Sequence, residues 1–127
     1  MANRKGAILI GDEVKYEEPQ RLPKAEAERI FESGDLHDSR EALVSMALNE
    51  TDWRWVQEKC LGFTSHADAS VRSVAATCLG HVARIHGQLD LDRVMPRLEF
   101  LLRDPETAGY AETAIDDVHM FVGRGSR

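Results

Sequence analysis

Residues 71–87, VRSVAATCLGHVARIHG, place a cysteine and two histidines within nine positions. Cys78 and His81 are three apart, a spacing that on a helix can bring two side chains to one zinc ion, with Cys60 or His86 completing the set. Helical angle argues for a division instead. Cys78 keeps the period of an apolar stripe, Val71, Val74, Ala75, Cys78, Leu79, Val82 and Ile85, whereas His81 falls with Ser73, Thr77 and Arg84 on a polar one. A second constellation, Glu112, Asp116 and His119, sets two carboxylates and an imidazole along the last helix. Its simplest reading is a solvated helix face. The alternative is a metal-dependent or acid-base enzyme using His81, Asp116, Asp117 or His119. The sequence has no GxSxG, no glycine-rich phosphate loop and no HExxH. The expectation is therefore a non-enzymatic chain with no metal and no cofactor.

The elements that must carry these residues follow a helical period. Ala27, Ile30 and Phe31 mark a short helix over 24–33, with Leu22 before Pro23 as a staple and Gly34 as its stop. Asp38 and Glu41 resemble a capping box for a second helix ending near Asn49, with the stripe Ala42, Leu43, Met46 and Ala47. Thr51 or Asp52 caps a third, whose apolar face is Trp53, Val56, Cys60 and Phe63. Asp68 caps the helix that holds the opening stretch, and Gly87 closes it. From Asp90 the stripe Leu91, Val94, Met95, Leu98, Leu101 and Leu102 predicts a fifth helix, kinked or delayed by Pro96. Asp104 and Pro105 read as the cap and first position of a sixth, striped by Ala111, Ala114, Ile115, Val118 and Phe121.

This gives an all-α class, divided into an irregular N-terminal extension over 1–20, a helical domain over 21–122 and a loose tail over 123–127. The apolar run Ala7–Ile10 is too short for a signal peptide, and no run approaches the roughly 18 residues of a membrane span. With 127 residues, 43% hydrophobic and 30% charged, the chain is about one domain long. Its net charge of −6 disfavours anionic membranes and nucleic acid and favours a basic protein partner. A nucleic-acid reading would rest on Arg72, Arg84, Arg93 and Arg97, which are scattered among carboxylates. Cys60 and Cys78 sit at apolar positions, as reduced thiols of a cytoplasmic protein do.

Shifting the chain by 36 residues sets Asp68 on Asp104, Ala75 on Ala111, Cys78 on Ala114, Leu79 on Ile115 and Val82 on Val118. A shift of 37 sets Leu61 on Leu98 and Phe63 on Phe100. Two helix hairpins of one design stand in tandem. The run Val71, Arg72, Ala75, Ala76, Leu79 and Gly80 resembles the HEAT repeat of the ARM/HEAT superfamily, as found in small bacterial-type proteins. The last unit departs from it, with Thr107 and Ala108 in place of Val-Arg and Asp116 in place of Gly. The resemblance covers about 24–122 if the first two helices form a degenerate unit. It implies a right-handed α-α superhelix of about three hairpins, whose second helices line the concave side. It also implies a scaffold that binds protein, one version being an immunity protein that neutralises a toxin.

Three further expectations follow. The small residues Ala76, Gly80, Ala83 and Gly87 make a stripe for close approach of a neighbouring helix, which offsets the roughly 1 kcal/mol cost of a mid-helix Gly. Trp53 follows its helix's apolar stripe, while Trp55 lies opposite and either packs on the preceding hairpin, the favoured reading, or anchors a partner. Phe100, matched to Phe63, is expected between hairpins. The partner surface is then Ser73, Thr77, His81 and Arg84, with Thr113 and Asp117 from the last helix beside them.

Overall fold

The computed structural model describes residues 22–123. The readings made for 1–20 and for the tail after 123 lie outside the described residues. Among the described residues there are six helices: α1 (Lys24–Ser33), α2 (Leu36–Asn49), α3 (Trp53–Phe63), α4 (Ala69–His86), α5 (Leu91–Leu101) and α6 (Ala108–Phe121). The chain is all-α as described. None of these helices is long and apolar enough to cross a membrane.

Consecutive helices pair as hairpins, α1 with α2, α3 with α4 and α5 with α6, and the second helices touch in the order α2, α4, α6. The 18-residue α4 is the centre of the molecule. Of its apolar stripe, Val71, Ala75, Cys78, Leu79 and Val82 are enclosed, whereas Val74 is half-buried and Ile85, near the end of the helix, is exposed. Leu43 and Met46 from α2, Val56 and Cys60 from α3, Val94 and Leu98 from α5, and Ala111, Ala114 and Val118 from α6 complete the core with it. Burying such side chains stabilises by about 1.5–3 kcal/mol each for the larger ones.

Helix boundaries are set by short acidic residues. Asp52 accepts the Trp55 N–H at 3.2 Å. Asp68 accepts those of Ser70 and Val71 at 2.8 and 3.2 Å, and Gly87, with φ 65°, ends α4 in the left-handed conformation. Two boundaries differ from expectation. α2 is capped by Asp35, whose carboxylate accepts the Asp38 N–H at 2.8 Å, so Asp38 lies inside the helix. Gly34, at φ 78°, ends α1 so abruptly that the first available carboxylate starts the next helix. Asp104 and Pro105 belong to a turn before α6, whose N-cap is Thr107. The Asp104 carboxylate is divided between the Glu106 N–H at 2.9 Å and Arg72 at 3.0 Å. Thr107 is buried and donates its hydroxyl hydrogen to the Leu101 carbonyl at 2.7 Å, which leaves it no side-chain cap bond. Pro96 is accommodated inside α5 at an exposed position.

The repeat seen in the sequence has a physical counterpart. Contacts between hairpins join residues one hairpin apart in the chain: Lys24 with Asp52, Glu28 with Lys59, Glu58 with Arg93, Thr64 with Arg97, and Ser73 with Glu106. The small-residue stripe lies on the α4–α6 contact. A Cβ added to Gly80 would come within 2.9 Å of Asp117 Oδ2 and 3.4 Å of the Ala114 Cα. Trp55 is half-buried against the core, with the Lys24 and Lys59 ammonium groups 5.7 and 5.4 Å from its ring centroid. Phe63 bridges hairpins edge-on to Phe31 at 5.1 Å. Phe100 does not repeat this. Arg97 reaches Thr64 and Ser65 across the seam and covers the Phe100 ring at 4.9 Å, leaving that ring 51% exposed.

Candidate functional site

The second helices carry the residues expected to meet a partner, and their arrangement begins with the α4–α6 seam. Small side chains there let the helices approach closely enough for Asp117 of α6 to lie over Gly80 of α4. Arg84, one turn along α4, turns to it, with Nε 3.7 Å from Asp117 Oδ2. Its guanidinium also contacts His81 Nδ1. His81, Arg84 and Asp117 therefore form one polar cluster.

Arginine is a donor only, so His81 Nδ1 can take part in that contact only as an acceptor. Burial lowers the His81 pKa below its ordinary value, the Arg84 charge lowers it further, and Asp117 opposes both. The cluster thus presents a neutral imidazole beside an ion pair. Such a group can donate one hydrogen bond to a partner's carbonyl or carboxylate.

The other three expected residues do not share that environment. Thr77 is half-buried on the face of α4, one turn before His81. Thr113 is exposed and donates to the Gly109 carbonyl at 3.1 Å. Ser73 is a correction to the exposed stripe, being only 6% exposed, with its hydroxyl 3.5 Å from the Glu106 carbonyl. Its side of the helix is the one on which Gly80 lies, so the last hairpin covers it.

Next to the polar cluster lies a groove of about 650 Å³ between α2, α4 and the start of α6. Val44 of α2, Val74 and Thr77 of α4 and Tyr110 of α6 line it, together with Arg40 and Glu106. Arg40 Nη1 donates to Ser70 Oγ at 3.0 Å. Beyond the groove the same three helices expose Leu48, Ile85 and Met120 at 46, 47 and 58%. Sequence reasoning missed Arg40, Val44 and Tyr110. Val44 and Leu48 are four apart and fall off the core stripe of α2, the one available signal, and Tyr110 precedes the first core residue of α6.

Other constellations are differently placed. Cys60 and Cys78 are free, fully buried thiols in contact across α3 and α4. A hydrogen bond in which the Cys60 thiol is donor to Cys78, together with burial, pushes the Cys60 thiol well above the ordinary range, which leaves it unreactive. Cys78 and His81 are on different sides of α4, one enclosed and one at the surface. Glu112, Asp116 and His119 are exposed on α6. Among the described residues no group of three or more His, Cys, Asp or Glu is placed to hold a metal. The four arginines do not make a basic patch: Arg72 is bound to Asp104, Arg84 to Asp117, Arg93 to Glu58, and Arg97 to Thr64 and Ser65. A second concavity of about 570 Å³, between the start of α3 and the end of α4, is walled by Trp53, Arg54, Glu58 and Arg93. Three of its charged groups engage one another or a ring, Arg93 on Glu58 and Arg54 over Trp53.

No family model matches this chain, and no curated protein does. Among solved structures it is similar to one chain in the crystal structure of a CDI complex from Cupriavidus taiwanensis LMG 19424. The two are 34% identical and superpose with a TM-score of 0.73, over 84% of this chain and 96% of that one.

Proposed function

We propose that this chain, which belongs to the same family as the matched chain of the CDI complex, is a non-enzymatic cytoplasmic protein that binds a protein partner, and that it neutralises a toxin as an immunity protein. The observation that carries this reading is the matched chain's place in a complex, at 34% identity across nearly its whole length. The partner is a basic toxin domain. It meets the second helices, where His81, Arg84 and Asp117 supply the polar contacts and Thr77 and Thr113 flank them. We read the architecture as a HEAT-like stack of the ARM/HEAT type, whose adjacent hairpins offer equivalent helices to one partner.

The chemistry of the face supports this assignment. Its histidine is a hydrogen-bond donor, its arginine is charged at every physiological pH, and exposed apolar side chains stand around both. Interfaces combine these features, a few anchors within a polar surround.

The test begins with recovery of the stoichiometric partner from the native cells. Expressed alone, that protein should arrest growth, and co-expression of this chain should restore it. The double variant His81→Ala with Arg84→Ala should bind at least tenfold more weakly while keeping its helical spectrum. A harmless partner, or an arrest that co-expression leaves untouched, would overturn the immunity reading.

A further inference from the structure

We infer that the α2–α4–α6 groove is an anchor pocket: it takes one apolar side chain of a basic protein partner, seated between Val44 and Val74 beside Tyr110, with a neighbouring Lys or Arg of that partner on Glu106. This rests on the partner-binding reading and names the chemistry of the segment that enters.

Three observations carry the inference. First, the groove has the composition of an anchor site. Val44, Val74 and the methyl of Thr77 make an apolar lining, and Tyr110, 53% exposed, is a large rigid ring that loses little side-chain entropy on contact. Its volume of about 650 Å³ is of the order of a small-ligand site and ample for one side chain.

Second, the cations of the second helices are committed within the chain. Arg40 is bound to Ser70, Arg72 to Asp104, and Arg84 to Asp117 and His81. Asp117 apart, several carboxylates on or beside these helices are not. Glu41 of α2, Glu106 at the groove and Glu112 and Asp116 of α6 have no ion pair among the described residues. Of these only Glu106 lines the groove, where the Arg40 charge is held on Ser70 beside the Asp68 carboxylate, so an incoming segment meets one unpaired carboxylate at the edge of an apolar depression in a chain of net charge −6, and a cationic segment is the complement.

Third, the depression belongs to the fold itself. Its floor residues Ser70, Val74 and Thr77 stand on α4, the central helix, and its walls on the two helices packed against α4. The pocket is thus present before a partner arrives, which reduces the ordering cost of binding.

The experiment uses the whole chain, labelled with ¹⁵N, and three capped tripeptides: acetyl-Lys-Phe-Lys-amide, acetyl-Glu-Phe-Glu-amide and acetyl-Lys-Gly-Lys-amide. The Lys-Phe-Lys peptide should produce saturable shifts at Val44, Val74, Thr77 and Tyr110, with a Kd on the order of 1 mM. The acidic peptide should bind about tenfold more weakly, and the glycine peptide should leave the groove unperturbed. Tyr110→Ala and Thr77→Arg change exposed or half-buried positions, and each should abolish the groove shifts in a protein of unchanged helical spectrum. Absence of groove shifts with Lys-Phe-Lys, or equal binding of the acidic peptide, overturns the inference. The partner recovered from the native cells separates the two readings. If it binds Thr77→Arg as tightly as the parent chain, the groove is not the anchor although partner binding stands. If no stoichiometric partner is recovered, the binding reading itself fails.

Discussion

Between the first helices α1, α3 and α5, neighbours are tied by long charged or polar side chains: Glu28 to Lys59 at 2.7 Å, Glu58 to Arg93 at 2.8 Å, and Arg97 to Thr64 at 3.1 Å. Between the second helices α2, α4 and α6 the seam is made of small residues, with Ala76, Gly80 and Ala83 enclosed on α4 and Ala111 and Ala114 on α6. The two layers lie one helix apart in every hairpin yet treat their surfaces differently. Ion pairs consume the polar groups of the first layer. The second layer is closely packed at α4–α6, where Arg84 also pairs with Asp117, and it exposes Leu48, Ile85, Tyr110 and Met120, against Leu91 and Phe100 in the first layer. Close approach inside the layer leaves its outer surface as the face proposed for a partner.

The largest expected effect breaks the close seam. A Cβ at Gly80 meets Asp117 Oδ2 and the Ala114 backbone, whereas a Cβ at Gly62, in the first layer, meets nothing within 4 Å. Gly80→Val should destabilise by about 2 kcal/mol, because its branched methyls must push α6 away. Gly80→Ala displaces mainly the mobile end of Asp117 and costs less. Gly62→Ala should stabilise by about 0.5–1 kcal/mol through helix propensity alone. Urea unfolding of the three variants checks the order. A Gly80→Val protein as stable as the parent chain would mean that α4 and α6 are not held by contact at this point.

The small-residue seam was legible in the sequence because Ala76, Gly80 and Ala83 repeat at helical spacing, and a mid-helix glycine asks for a reason. The α4 apolar stripe was legible for the same reason as far as Val82, though not at Ile85, which is exposed, and so were the caps Asp52 and Asp68, which combine residue type with position. Ser73 was not. A serine at that angle reads as a surface residue, and only the approach of the last hairpin makes it a buried one. Asp104 matched Asp68 in register, but Thr107 turned inward to Leu101 and moved the start of α6 three residues on. Phe100 matched Phe63, yet Arg97 had taken the seam. Each of these differences comes from a side chain choosing between two partners of similar merit, which periodicity cannot weigh. The groove was hidden differently, since Arg40, Val44 and Tyr110 come from α2 and α6, off the core stripes of both, and meet only after packing.

A smaller effect should separate the layers by pH. His81 has its pKa lowered by burial and by Arg84. The unfolded chain therefore takes up a proton more readily than the folded one, and this residue's contribution to stability falls as pH drops through the ordinary histidine range near 6.5. Above that range both states hold the imidazole neutral and the contribution is constant. His81→Gln should flatten the stability profile between about pH 7 and 5.5, in which the lowered carboxylates Asp52, Asp68 and Glu58 stay ionised. Denaturant midpoints at several pH values give the slope. Protonation would also turn Nδ1 from acceptor to donor, so the Arg84 contact should weaken in the acidic arm. An unchanged slope in His81→Gln would place the imidazole in water rather than under the cluster.

The smallest effect tests the first layer. The Glu58–Arg93 pair spans two hairpins, and Arg93 holds the Glu58 carboxyl below its usual range, but both side chains are about half exposed, at 48 and 51%. Water and salt screen such a pair, so the lowered carboxyl pKa converts poorly into stability. Glu58→Ala should cost less than about 1 kcal/mol, and the cost should shrink further as salt is raised. Partner affinity should not change, since α3 and α5 present this pair away from the second helices. A loss of affinity in Glu58→Ala with stability intact would move recognition to the first layer and reverse the division between the two surfaces. A loss of stability well above 1 kcal/mol would instead show that the charged lacing holds the hairpins together, a role the close seam of α4 and α6 is here assigned.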